Sequence, residues 1–335
     1  MRSWTLASLC GVGLAVGWGG ARGALPASGR AAPEIPAITR PVMFNTPEAD
    51  RILAVLQVFP PDSPWHEDIS TRPLLANSRQ LVASVGDDKR LAYNLDMAFI
   101  LVPPDQKRVT VRIANGYPDE SDPGPFPVPE NAPIEDWPLN GKPLEVIQRE
   151  GRGDRHMLVV DPVNRMLYEF YHARRTDSGW TAAQSSIFDL RTNKLRPDGW
   201  TSTDAAGLPI FPAVVRYDEL ERGMVEHAMR FTVRNSRRAY VYPATHFASD
   251  KTDVNLPRMG ERFRLRQEFD ISSFSRHAQA ILKGLKKHGM FMADNGGDWR
   301  ISVAPDSRIQ GLDDLRRVRG KDFEVVQPDE KQGAN

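Results

Sequence analysis

Histidine and carboxylate side chains that could act as acids or bases concentrate between residues 150 and 250 of the chain. Asp154 and His156 stand two positions apart at the start of an apolar run, so on a strand they would share one face at the rim of a sheet. Carboxylate and imidazole groups held together can transfer protons to and from a substrate. The candidate catalytic residues are Asp154, His156, Glu169, Asp204 and His227.

Four further residues in the same part of the chain are candidates for substrate binding. Arg230 could hold an anionic or polyhydroxyl ligand, and His246 follows a proline. Trp180 and Trp200 present aromatic faces of the kind that stack on sugar rings. The plainer interpretation of all these residues is core packing, turn capping or solvent exposure, since charged residues on alternating strands usually face water.

The residue types favour some chemistries over others. Glycoside cleavage needs two carboxyl groups flanking one bond, and Asp154, Glu169 and Asp204 supply enough of them, although no local motif pairs two. Metal-assisted chemistry needs about three histidine or carboxylate ligands; these are available, but without an HExxH spacing. Ser202 has no GxSxG context, and the glycine-rich nucleotide loops are missing. The leading hypothesis therefore includes no metal and no cofactor.

The N-terminus has the layout of a secretory signal peptide. Arg2 precedes the apolar run WTLASLCGVGLAVGWGG and a stretch of small residues, which predicts a signal peptide over 1–23, a flexible leader over 24–41 and a secreted or periplasmic protein. Cys10 is the only cysteine. Its removal would leave no thiol for disulfides, nucleophilic catalysis or thiolate metal sites; retention as an anchor is the other outcome.

Composition narrows the range of partners. Lys plus Arg total 44 and Asp plus Glu 43, so no basic surplus indicates nucleic acid. No apolar run after the signal segment is long enough to span a bilayer. We expect a monomer that has neither a nucleic-acid partner nor a membrane span after the signal peptide is removed.

Short strands separated by turns dominate the pattern, as 27 prolines and 25 glycines suggest. Asp161-Pro162-Val163-Asn164 supplies turn chemistry for a hairpin, and ADNGGDW (293–299) is typical of a turn between two strands. Helices are predicted at 46–59, with Thr46 as N-cap, at 77–86 and at 274–289. Strand-like runs occupy 98–102, 109–113, 156–161, 166–173, 185–190, 213–217, 229–233, 239–244, 263–270 and 299–304.

These elements predict one mainly β domain over 42–330, an antiparallel β-sandwich or barrel with a few short peripheral helices. Segment 115–138 holds seven prolines and is either a linker or a long ordered loop. It could also mark a sub-boundary, in which case an α+β fold with a small N-terminal lobe before residue 115 is the alternative.

Several motifs resemble those of a largely uncharacterised family of secreted bacterial proteins: GDRH, GWTSxDAAGLPI, HAxRFT and ADNGxxW. The corresponding stretches here are GDRHMLVVD, GWTSTDAAGLPIFP, HAMRFT and ADNGGDW, and the resemblance runs from about residue 60 to residue 326. It implies one exported domain, in a family suspected of acting on extracellular polymers.

The leading hypothesis is an exported protein that acts on extracellular polysaccharide as a glycoside hydrolase or a polysaccharide lyase. Glu169 or Asp204 would be its acid or base, in one polar cleft. Two alternatives remain: a non-catalytic carbohydrate-binding or cell-surface structural protein, in which the same motifs form buried polar networks, and a metal-dependent extracellular enzyme. The cleft would be lined by Asp154, His156, Glu169, Asp204, His227, Arg230 and His246.

Overall fold

Short strands provide most of the regular structure in the computed structural model, which describes residues 34–329. The predicted signal peptide, Cys10 and the first part of the leader lie outside the described residues. In chain order the strands are β1 (Val42–Met43), β2 (Ala92–Leu95), β3 (Phe99–Leu101), β4 (Val111–Ile113), β5 (Met157–Asp161), β6 (Met166–Tyr171), β7 (Arg174–Thr176), β8 (Gly179–Ala182), β9 (Gln184–Asp189), β10 (Met229–Val233), β11 (Arg262–Leu265), β12 (Met290–Asn295), β13 (Arg300–Val303) and β14 (Phe323–Val325).

Five short α-helices accompany the strands in the part of the chain that the structure describes. The Thr46 side chain caps the first by accepting from the Ala49 N–H at 3.2 Å, as the sequence predicts. Ser275 stands at the predicted N-cap of the last, but its hydroxyl instead donates to the Gly311 carbonyl at 2.7 Å. The helices are α1 (Pro47–Leu53), α2 (Ser78–Val85), α3 (Leu144–Arg149), α4 (Tyr217–Arg222) and α5 (Arg276–Lys287).

Between residues 34 and 329, three mixed sheets make a β-rich, sandwich-like α+β fold, which confirms the β-rich class. Their strand orders are β1-β3-β5-β6-β9, β14-β11-β12-β10-β13-β2 and β4-β8-β7. The predicted hairpin is the antiparallel pair β5–β6. Other neighbours, including β10 with β12 and β3 with β5, run parallel, so the sheets are not purely antiparallel. The fold is not a closed barrel.

The five-stranded sheet divides the core into two layers because side chains alternate along its strands. Leu158 and Val160 of β5 join the larger cluster, which includes residues of the six-stranded sheet. Met157 and Val159 join a smaller cluster beside the three-stranded sheet, where Trp180 also packs. The central sheet therefore packs apolar side chains on both faces, and Glu169, in the middle of β6, is a buried polar group among them.

Residues 34–114 do not form a lobe of their own. β2 pairs with β13, and β3 pairs with β5, so residues before 115 are interleaved with later strands and the described residues form one compact unit. Segment 115–138 is packed: Phe126, Val128 and Ile134 are buried in the smaller core cluster.

Two predicted strands are absent at 213–217 and 239–244, where only the single bridges Val215–Val303 and Tyr240–Met259 form. The first is interrupted because a 3₁₀ turn at Phe211–Ala213 and the start of α4 occupy its ends.

Candidate active site

An open pocket of about 290 Å³ lies where four sequence motifs, far apart along the chain, meet. The GDRH, GWTSTD, YPATHFAS and ADNGGDW segments each contribute to its wall. Asp154 precedes β5, Tyr171 ends β6, and Asp294 with Asn295 ends β12. The lining residues are Tyr117, Asp154, Tyr171, Thr201, Ser202, Thr203, Ala205, His246, Ala248, Asp294 and Asn295.

The GDRH turn aims Asp154 into this pocket. Arg155 has a positive φ of 54°, a conformation that non-glycine residues rarely adopt and that concentrates at functional sites. The turn breaks the strand alternation, so Asp154 is exposed and His156 is buried; the expectation of one shared face was wrong. The Arg155 guanidinium secures the turn by donating to the carbonyls of Ile147, Gln148, Glu150 and Ala173.

Asp294 is the second carboxyl group of the pocket. It is half-buried near the end of β12, opposite Thr232 of the parallel strand β10. Burial raises its pKa to about 7, and the negative charge of Asp204 adds to the effect while Arg230 opposes it. A carboxyl group with this pKa holds a proton near neutral pH and can donate it to a substrate.

His246 and Tyr171 complete the polar wall. The His246 Nδ1 lies 2.8 Å from the Ala205 carbonyl, so Nδ1 carries hydrogen; in the neutral ring Nε2 is then an acceptor. The Tyr171 hydroxyl lies 3.5 Å from Asp154 Oδ1. Burial, followed by the charge of Asp154, raises the Tyr171 pKa to about 12, which keeps this hydroxyl a donor.

Asp204 and Arg230 form an ion pair behind the pocket. The guanidinium donates to both carboxylate oxygens at 2.7 Å and to Ser302 Oγ at 2.7 Å. Asp204 is fully buried and Arg230 is 4% exposed. Neither lines the pocket, so Arg230 is a fixed internal cation and does not contact substrate, and Asp204 is unavailable as the acid.

Further ionisable groups surround this pair. The Glu135 carboxylate accepts from the His156 N–H at 3.2 Å. His156 Nδ1 and Asp96 Oδ1 are buried and have no hydrogen-bond partner within residues 34–329. Burial, then Arg230, lowers the His156 pKa to about 4; burial, then Glu135, raises the Asp96 pKa to about 7. The carboxyl groups around Arg230 thus outnumber this single cation. Because their negative charges are not all compensated, some of these carboxyl groups are favoured to keep a proton.

Glu169 fastens a loop. It is fully buried and accepts from the Ile210 and Phe211 N–H groups and from Thr203 Oγ1. Burial raises its pKa to about 7 even though these donors act in the opposite direction. It does not line the pocket, so its role is to hold loop 199–212 against the five-stranded sheet.

The remaining sequence candidates lie elsewhere. His227 lines a second pocket of about 260 Å³; its Nε2 lies 3.2 Å from Glu219 and its Nδ1 2.9 Å from the Ala228 carbonyl. Trp180 packs in the smaller core cluster. Trp200 lies against the Arg196 guanidinium, 5.4 Å from the ring centre. None of the three side chains lines the Asp154 pocket.

The pocket therefore contains Asp154 and His246 of the sequence candidates, with His156, Asp204 and Arg230 buried near it. Sequence reasoning missed Asp294, Tyr171 and Asn295. The sequence predicts a turn at Asp294, although a charged residue at one end of an apolar strand, the kind of signal that indicates Asp154, also marks it.

Comparisons with protein-family models, curated proteins and solved structures found no match. The resemblance to a secreted bacterial family stays a prediction. Within residues 34–329, no group of three or more histidine, aspartate or glutamate side chains is placed to hold a metal ion. In the same residues, no helix combines the length and apolar character needed to cross a membrane.

Proposed function

We propose that the protein is an exported glycoside hydrolase that acts on an uncharged extracellular polysaccharide in the Asp154–Asp294 pocket. The observation that carries this proposal is the pair of carboxyl groups in one open pocket, with the pKa of Asp294 raised to about 7. Glycosidases need two such groups, one of which keeps its proton near neutral pH.

In this reaction Asp294 gives its proton to the glycosidic oxygen as the bond from that oxygen to the anomeric carbon breaks. Asp154 supplies the second carboxylate, as a nucleophile or as the base that activates water. Water adds its hydroxyl group to the anomeric carbon. The remaining proton of the water is taken up by the carboxyl pair, which replaces the proton that Asp294 gave to the leaving group. Tyr171 donates to Asp154, and His246 Nε2 can accept from a substrate hydroxyl.

The charges of the pocket favour hydrolysis of a neutral chain over lyase chemistry. Lyases that act on uronates must accommodate the substrate carboxylate, and a site of like charge repels it. The lining of this pocket contains two aspartates and neither lysine nor arginine. Arg230, the predicted anion-binding residue, is occupied by Asp204 and Ser302.

A polysaccharide panel tests this assignment. Mature protein is incubated with neutral glucans, xylans, mannans and galactans, and with alginate, pectin and hyaluronan, and reducing ends and unsaturated sugars are both measured. We expect reducing ends without unsaturated products from at least one neutral polymer. Asp294→Asn should lower the rate at least about 100-fold.

The matched control is Asp105→Asn, which makes the same change at an exposed position outside the pocket. It should keep the wild-type rate. Unsaturated products, or an Asp294→Asn variant as active as the wild type, contradict the hydrolase. Binding of a neutral polymer with no product from any substrate favours the non-catalytic carbohydrate-binding alternative.

A further inference from the structure

Tyr117 stands apart from the other exposed apolar side chains. The large hydrophobic residues strongly exposed within residues 34–329 are Leu74, Tyr117, Leu139, Val163 and Val254. Tyr117 is the one aromatic side chain among them, at 46% exposure, and it lines the Asp154–Asp294 pocket. An exposed aromatic ring is therefore present at the pocket where a substrate would bind.

The backbone that carries this ring is fixed. The Tyr117 N–H donates to the Ala183 carbonyl at 2.8 Å, and the Tyr117 carbonyl accepts from Ser121 Oγ at 2.7 Å. At Gly116 a Cβ atom would lie 2.2 Å from the Ala183 oxygen, so only glycine permits this close approach. An exposed ring on an ordered backbone loses little conformational entropy when it binds.

The chemistry of the side chain indicates the ligand. No hydrogen bond of the Tyr117 hydroxyl is present within residues 34–329. The residue thus offers a partly exposed apolar ring and a hydroxyl group that is available to a ligand. A pyranose ring has matching features, since its C–H groups form an apolar face and its hydroxyl groups lie at the edge.

We propose that Tyr117 forms a sugar-binding subsite beside the catalytic carboxyl groups, where its ring stacks on a pyranose unit of an uncharged polysaccharide. The subsite rests on the proposed function for its substrate class. It implies that the ligand spans at least two sugar units, one on Tyr117 and one between Asp154 and Asp294. Longer oligosaccharides should therefore bind more tightly than single sugars.

Binding is measured separately from cleavage. Neutral hexasaccharides of β-1,4-linked glucose, xylose and mannose and of α-1,4-linked glucose are titrated calorimetrically into Asp294→Asn protein, whose new side chain has nearly the same size and shape as the original. Adding Tyr117→Ala should weaken binding of the recognised hexasaccharide about tenfold, equivalent to about 1.4 kcal/mol. Tyr117→Phe, which keeps the ring, should recover most of that affinity.

Leu139→Ala is the matched control, since Leu139 is 50% exposed but lies outside the pocket lining; its affinity should not change. In the active enzyme, Tyr117→Ala should raise KM about tenfold and change kcat little.

The outcomes separate the subsite from the hydrolase. Hexasaccharide binding that depends on Tyr117, in a protein that cleaves none of the panel, supports the subsite and overturns the proposed reaction. Cleavage with KM and affinity unchanged in Tyr117→Ala overturns the subsite alone. If the Asp294→Asn protein binds none of the hexasaccharides, that result also overturns the subsite.

Discussion

Two clusters of buried acids and cations differ in how their charges balance. One lies beside the Asp154–Asp294 pocket and the other beside the pocket that His227 lines. Around Glu219, burial alone would raise the carboxyl pKa, but the charges of Arg216 and His227 hold it at about 2. Around Asp294, burial and the charge of Asp204 raise the pKa to about 7 against the single guanidinium of Arg230. Near neutral pH, the Glu219 carboxyl group is therefore ionised, whereas the Asp294 carboxyl group holds a proton.

This contrast separates structural chemistry from reactive chemistry. Glu219 is almost fully buried and hydrogen-bonded to Arg216 and His227, so its charge is compensated within the protein. Asp294 faces an open pocket with an excess of acid behind it. Groups that titrate near the working pH are the ones suited to proton transfer. The following changes test that distinction, from the largest expected effect to the smallest.

Arg230→Met should have the largest effect on stability. It leaves Asp204 buried without its partner and removes the cation that faces Asp96 and Asp294, so we expect a loss of about 3–5 kcal/mol in the free energy of unfolding at pH 8, measured in urea. The double variant Asp204→Asn/Arg230→Met should lose less stability than the single variant, because it leaves no buried carboxylate without its partner. A loss below about 1 kcal/mol for the single variant contradicts the importance of this pair.

Glu219→Gln probes the balanced cluster. It removes the negative charge that compensates Arg216 and changes the hydrogen bond with His227, so we expect a loss of about 2–3 kcal/mol in the free energy of unfolding at pH 7. Because the folded pKa is lowered to about 2, the Glu219 contribution is present above about pH 4.5 and is lost as pH falls toward 2. The variant should therefore lose less stability than the wild type across that acid range. Hydrolysis per folded molecule should not change; a large fall in kcat would place this cluster in the reaction.

Asp294→Asn should stabilise the protein slightly at alkaline pH. The folded state holds this proton up to about pH 7, whereas the unfolded chain releases it near pH 4, so stability from Asp294 falls as pH rises between those values. Removing the carboxyl group should raise the free energy of unfolding by about 1–2 kcal/mol at pH 8, allowing for solvent in the pocket, with little change at pH 4. Equal stabilisation at both pH values contradicts the raised pKa.

The local parts of the fold could be predicted from sequence. The hairpin at Asp161–Asn164, the Thr46 cap and the position of α5 depend on neighbouring residues, and the structure has all three. Residues 213–217 contain the apolar run of a strand, yet a 3₁₀ turn and α4 occupy its ends and only the bridge Val215–Val303 forms. The parallel pairing of β10 with β12 joins strands about 60 residues apart and leaves no short-range pattern.

The site could be predicted only in part, for the same reason. Asp154 and His246 were identified by residue type and meet in one pocket. The direction of the Asp204 side chain depends on Arg230, which lies 26 positions away. Ser202 lacks the sequence context of a nucleophile, and the structure gives its loop hydroxyls internal partners: Ser202 donates to the Leu208 carbonyl at 2.5 Å and Thr203 donates to Glu169. That loop forms one wall of the pocket, and its hydroxyls hold its shape.

The pH dependence of kcat/KM on a neutral polysaccharide, measured for wild-type and Asp294→Asn protein, tests the central claim most directly. We predict that the wild-type rate falls above about pH 7, as the Asp294 proton is lost. The variant should be at least about 100-fold slower and lack that descending limb. A variant that keeps the wild-type rate, or the same fall above pH 7, would contradict the assignment of Asp294 as the acid.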